Sequence, residues 1–227
     1  MDVPLTDQRL LEALPDERDA HPELAQMIDL HEELISARSE IEVALPDPPV
    51  TRDEVARLME ERVPVLERWA LPWDLERVSS LSGRICEIGS RHRPGLAAHF
   101  EHANSLLNGD AEQAREVVDA FLMGGRVQIA EHPDETREMV SFVLIHALHP
   151  FLHAYAAAVA PLIVDQEWYQ RLCPVCHGEP DFGYLEEQVG GLRLLCSRCD
   201  VVWTHRRGEC AFCGNSERGT FAYYLSD

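Results

Sequence analysis

The chain has 227 residues, enough for one sizeable core and a small second domain, and its 45% hydrophobic content is ordinary for a globular protein. Twenty basic residues, every one an arginine, face 40 acidic ones, a net charge of −20. That balance argues against non-specific nucleic-acid binding, which needs basic side chains to neutralise phosphates, and reads as a solvated acidic surface. No uninterrupted apolar run approaches the roughly 18 residues expected of a membrane span. Met1-Asp2-Val3-Pro4 lacks the basic n-region and apolar h-region of a secretory signal. A cytoplasmic protein without a membrane span is expected.

From residue 5 to about residue 164 the periodicity is helical. Over 22–43, Leu24, Met27, Ile28, Leu34, Ile35 and Ile41 recur at offsets of three, four or seven, which predicts one amphipathic helix. Pro46, Pro48 and Pro49 break it. Thr51 followed by Asp53 and Glu54 marks a new helix start, acidic side chains lying near the positive end of the dipole, and Val55, Leu58, Met59, Arg62, Val63 and Leu66 continue its stripe. Further helices are expected near 74–90, 95–107, 110–123 and 135–163, parted by Pro94-Gly95, Asn108-Gly109-Asp110 and Gly124-Gly125. The fold class expected is mainly α: an all-α bundle of about six or seven helices over residues 1–165, then a small zinc-ribbon or rubredoxin-like β domain over 166–227. The junction at 163–172 has no Gly/Ser linker, so the small domain should pack on the helices, with Trp168 and Tyr169 at the seam.

Short strands follow Cys176: Phe182-Gly183-Tyr184-Leu185, a turn at Gly190-Gly191, Leu192-Arg193-Leu194-Leu195, Val201-Val202-Trp203, and a terminal strand over 220–225. Six of the seven cysteines form three pairs here, Cys173-Pro-Val-Cys176, Cys196-Ser-Arg-Cys199 and Cys210-Ala-Phe-Cys213. A Cys-x2-Cys turn places two thiolates on one side of a tight knuckle, so two facing knuckles supply the four soft ligands of a tetrahedral site. The 19 residues between Cys176 and Cys196 accommodate a hairpin excursion and return. Three pairs give six thiolates where two such sites need eight.

The succession Cys173-Pro-Val-Cys176, then Gly191-Leu192-Arg193-Leu194-Leu195-Cys196-Ser-Arg-Cys199, then Trp203 and Arg207 ahead of Cys210-Ala-Phe-Cys213-Gly214-Asn215, resembles the formate dehydrogenase accessory proteins, the FdhE family. The helix His149-Pro150-Phe151-Leu152-His153-Ala154-Tyr155-Ala156 is similar to that family's segment ahead of its metal domain. The likeness covers about residues 140–225. It implies a cytoplasmic assembly factor that binds the immature catalytic subunit of a formate dehydrogenase, and it implies iron as a serious alternative to zinc. Two departures stand out. Family members usually carry a fourth CxxC after the terminal strand, where the sequence to Asp227 has none, and His177 stands where a glycine usually follows the second cysteine, a position that often needs positive φ.

Three pairings remain open. The first and second pairs form one site, leaving Cys210 and Cys213 vestigial or completed by a histidine such as His205 or by another chain; or the second and third pairs close a site; or the first and third do. The expectation is one tightly held metal ion per chain, zinc or iron, since four thiolates suit both. His146, His149 and His153 share a helix face at i, i+3 and i+7, yet no carboxylate to join them is identifiable in sequence, so they read as hydrogen-bonded histidines, with Pro150 kinking the helix between them. His99 and His102 make a weaker case, and Cys86, between Ile85 and Ile88, reads as a core residue. No phosphate-cradling loop, dinucleotide fingerprint or nucleophile elbow is present, and no enzyme activity is expected. Two alternatives stand beside the accessory factor: a rubredoxin-like electron-transfer protein, and a zinc-ribbon nucleic-acid-binding or regulatory protein. The last is weakened by the charge of residues 164–227, six arginines against ten acidic residues. A homo-oligomer is compatible with the sequence.

Overall fold

Thr6 opens the first helix: its side chain accepts a hydrogen bond from the Arg9 amide, one of the orphan donors of a helix start. The computed structural model describes residues 1, 3, 6–45, 50–124, 134–164, 168–186, 190–217 and 219–220. Among them lie eight α-helices: α1 Asp7–Ala20, α2 Ala25–Ser39, α3 Arg52–Glu61, α4 Val65–Arg68, α5 Leu75–His92, α6 Ala97–Asn108, α7 Ala111–Gly124 and α8 Asp134–Val159. Three strands follow, β1 Pro180–Leu185, β2 Leu192–Cys196 and β3 Val202–His205, paired antiparallel in the order β1-β2-β3. The protein is thus mostly helical, with a small antiparallel sheet near its C-terminal end.

The helices follow the sequence signals closely, with three differences. Thr51 does cap α3, through a reciprocal capping box with Glu54, but the stripe that continues to Leu66 is not one helix. Arg62 adopts left-handed backbone, φ 60°, and Pro64 cannot continue the hydrogen-bonded ladder, so α4 is a separate single turn and the helices exceed the expected six or seven. In α2 the buried set is Ile28, Leu30, Leu34, Ile35, Ala37 and Arg38, while Met27, and Leu24 in the 3₁₀ turn just ahead of the helix, remain exposed. Arg38 is buried because its guanidinium forks onto Asp7 at the start of α1, at 2.6 and 3.0 Å to Oδ1. Third, Asp134–Leu162 passes as a membrane span by length and composition, although it contains no uninterrupted apolar run of that length; 61% of its most apolar window is buried within the fold, as in a core helix. Residues 221–225 of the expected terminal strand lie outside the described residues.

One apolar cluster unites the helices with the sheet region, running from Leu34, Val55, Met59, Ile85, Leu148 and Tyr155 to Trp168, Val175, Leu194 and Trp203. The junction is hydrogen-bonded as well as packed. The amides of Val65 and Leu66, which open α4 and have no partner within that helix, donate to the carbonyls of Pro174 and Val175 in the first cysteine turn, at 3.0 and 2.9 Å. Trp168 and Trp203 are almost fully buried, and their indole N–H groups reach the carbonyls of Leu172 and Gln170.

Candidate metal centre

The first two cysteine turns have the same local build. In one, the Cys173 amide donates to the Gly178 carbonyl at 2.9 Å and the His177 amide to the Cys173 carbonyl at 3.0 Å; in the other, the Cys196 amide donates to the Val201 carbonyl at 3.0 Å. Each turn reverses through a left-handed residue just after its second cysteine, His177 at φ 58° and Asp200 at φ 60°. The Val175 and Arg198 amides point at the Cys173 and Cys196 sulfurs, both at 3.4 Å.

The antiparallel pairing of β1 and β2 folds the second turn back over the first. Cys173, Cys176, Cys196 and Cys199 are all buried and their sulfurs form one group, with Cys173 to Cys199 at 3.6 Å and Cys176 to Cys196 and Cys199 at 3.4 Å. A tetrahedron of sulfurs around an ion at about 2.3 Å has edges of about 3.8 Å. The four sulfurs are therefore a few tenths of an ångström from that figure and could hold a metal ion. Burial pushes the Cys173 and Cys199 thiols up, whereas hydrogen bonds from Cys173, Cys196 and Cys199 hold Cys176 well below the usual thiol value. A cation arriving here would displace the remaining protons.

The centre is closely enclosed. A Cβ on Gly178 would stand 2.9 Å from the Cys196 sulfur and 3.2 Å from that of Cys176, so only glycine lets the backbone pass this near to the thiolates. Arg198 lies buried beside it, its guanidinium 4.5 Å from the Phe121 ring centroid and one nitrogen 3.3 Å from the Cys176 carbonyl oxygen. This cation opposes the negative charge that four thiolates retain around a divalent ion.

The third pair is not brought in. Cys210 and Cys213 form a turn of the same type, with the Cys210 amide donating to the Asn215 carbonyl at 2.8 Å, the Gly214 amide to the Cys210 carbonyl at 2.9 Å, and Gly214 at φ 69°. Cys210 is only partly buried and Cys213 is exposed. Hydrogen bonds from the backbone amides of Cys213 and Phe212 lower the Cys210 thiol below its usual value. His205 lies buried on β3, and among the described residues no third cysteine, histidine or carboxylate completes a ligand group with this pair. Of the pairings open in sequence, the geometry draws the first with the second.

A second cluster escaped the sequence reading. On α8, His149 and His153 meet Asp200, whose Oδ2 lies 2.7 Å from His149 Nε2 and 3.1 Å from His153 Nδ1. The carboxylate missing from the histidine face comes from the cysteine turn, not from another helix. Burial raises the Asp200 carboxyl, but the hydrogen bonds to His149 and His153 outweigh it and hold the group below its usual range. The one available signal was the Cys-Asp step itself, since aspartate tolerates the left-handed position that ends a knuckle. His146 does not join; it packs against Phe142 and His31, and burial drives its pKa down to about 3. His99 and His102 enter neither group, and Cys86 is a core residue whose thiol burial raises to about 12.

No protein-family model matches this chain, and searches of curated proteins and of solved structures found no match.

Proposed function

We propose that the chain is an accessory factor that holds an immature protein client against a rigid thiolate-metal ribbon, the client being, by motif resemblance, the catalytic subunit of a formate dehydrogenase. The observation that carries this reading is the outer side of β1. Phe182 and Tyr184, on one face, and Leu185, on the other, are 61%, 42% and 54% exposed, on a strand that pairs along one edge with β2 and, among the described residues, along the other edge with nothing. An edge strand with exposed large apolar side chains suits β-augmentation by an extended client segment, in which main-chain bonds give affinity and the side chains give selectivity. The sheet is fixed in place by the four-cysteine centre at the base of β2 and by the α4 amides bonded to the first turn. In this reading the four cysteines hold one zinc or iron ion, which stiffens the docking edge.

The test is an anaerobic pull-down of a formate dehydrogenase catalytic subunit made without its cofactors, using the native chain and a Phe182→Ser, Leu185→Ser variant. Capture by the native chain and loss in the folded, metal-loaded variant supports the proposal. Equal capture by both removes β1 from it, and capture by neither removes the client. The second reading, a rubredoxin-like electron carrier, draws on the two amide N–H groups aimed at Cys173 and Cys196, which stabilise thiolate charge. It requires a reversible one-electron couple in the iron-loaded chain.

A further inference from the structure

We propose that His149, His153 and Asp200 form a second metal site, open on one side, for a divalent first-row transition ion such as Fe(II) or Zn(II). This goes beyond the accessory-factor reading and does not depend on it. The two histidines are four residues apart on α8, so they project from one face one turn apart, and their rings stack with centroids 5.4 Å apart. The carboxylate approaches from the opposite side, on the residue that follows Cys199. Its backbone is left-handed, at φ 60°, and its carboxylate reaches both histidines of α8.

The dimensions suit an ion. Adjacent ligands around an octahedral cation with bonds of about 2.1 Å stand about 3.0 Å apart. Asp200 Oδ2 lies 2.7 and 3.1 Å from the two nitrogens, and all three ligand atoms fall within 4.8 Å of one another. Two imidazole nitrogens and one carboxylate oxygen are a donor set that borderline ions accept with positions to spare. Those positions have somewhere to open: the His149 side chain is 4% exposed, whereas those of Asp200 and His153 are 17% and 23% exposed. The protein closes the site from behind and leaves water or a small ligand access in front. Both supports are stiff, one a packed core helix and the other a turn tied down by Cys196 and Cys199. Loading of the thiolate centre fixes the turn that carries Asp200, so the second ion should bind more weakly when the first centre is empty.

A purely structural role, in which Asp200 clasps the turn to α8 by two hydrogen bonds, uses the same distances, and metal binding separates the two. The full chain, carrying Cys210→Ser and Cys213→Ser so that the exposed pair takes no ion, is loaded with one equivalent of zinc and titrated with Co(II). The expected result is one further equivalent of cobalt with weak ligand-field bands of nitrogen and oxygen coordination and no thiolate charge-transfer band. Asp200→Asn, which keeps the left-handed backbone, and His153→Ala should each weaken that binding more than about tenfold, while each variant retains its zinc. Failure of the zinc-loaded chain to bind cobalt, a thiolate charge-transfer band on the added ion, or cobalt binding that survives either substitution overturns the proposal.

Discussion

The turns at Cys173–Cys176 and at Cys210–Cys213 are made of the same local parts, an amide-to-carbonyl bond across the loop and a left-handed residue after the second cysteine. Yet the first is fully buried and faces a second pair of sulfurs, while the other stands at the surface with Cys213 exposed. A knuckle is thus encoded over about six residues, and a metal centre is not. The difference is a matter of strand pairing and of what lies beneath. The β1–β2 hairpin folds Cys196 and Cys199 onto the first turn, and α4 holds that turn from below. The third turn has the Arg171 guanidinium bonded to the Ala211 carbonyl at 3.2 Å.

Cysteine substitution tests this contrast most strongly. Cys176→Ser or Cys199→Ser should abolish metal binding at the four-cysteine centre and cost about 3 kcal/mol or more of stability, because an unliganded buried centre also loosens the apolar cluster around it. Cys210→Ser with Cys213→Ser should leave the metal content unchanged and shift stability by less than about 0.5 kcal/mol. Metal analysis with urea unfolding reads both, and equal losses would erase the distinction. Thiol alkylation of the metal-loaded chain should label Cys210 and Cys213 first, and the other five cysteines only after chelation or unfolding, since those five are buried. Mass spectrometry would report the order.

The glycines sharpen the comparison at smaller scale. Gly178→Ala forces a Cβ to within 2.9 Å of both the Cys196 sulfur and Arg198 Cδ and should cost about 1–3 kcal/mol, with weakened metal retention. Gly214→Ala meets only Arg171 Cδ at 3.6 Å but must hold φ near 69°, so a cost of roughly 1–2 kcal/mol with unaltered metal content is expected. Loss of metal in the second variant would mean that the third turn supports the centre after all. The same contrast between shared sequence pattern and separate environment recurs on α8, where His146 and His149 are neighbours on one face. His146, neutral in the core, has a folded pKa of about 3 against 6.5 when exposed, so the unfolded chain alone takes up its proton between those values. Its contribution is present above pH 6.5 and falls by about 1.4 kcal/mol per pH unit as the solution is acidified below that point. His146→Gln should flatten this acid limb in urea titrations, and an unchanged slope would assign the limb to other groups.

Sequence determined what is local in this protein. Helical periodicity, the Thr51 cap, the short strands and all three CxxC turns depend on spacing, on caps and on residues that accept left-handed backbone, and these act over a few neighbours. The left-handed position of His177 was an expectation of the family resemblance, in which a glycine usually follows that cysteine. Tertiary structure decided what spans the chain. Which pairs of thiolates meet, that α4 lends its free amides to a cysteine turn, and that Asp200 supplies the carboxylate for His149 and His153 across 51 and 47 residues follow from how β1 and β2 pair and how the two cysteine turns meet α4 and α8. Chain-distant contacts are settled by shared burial and hydrogen-bond satisfaction over the whole core, and a residue's immediate neighbours carry no record of them.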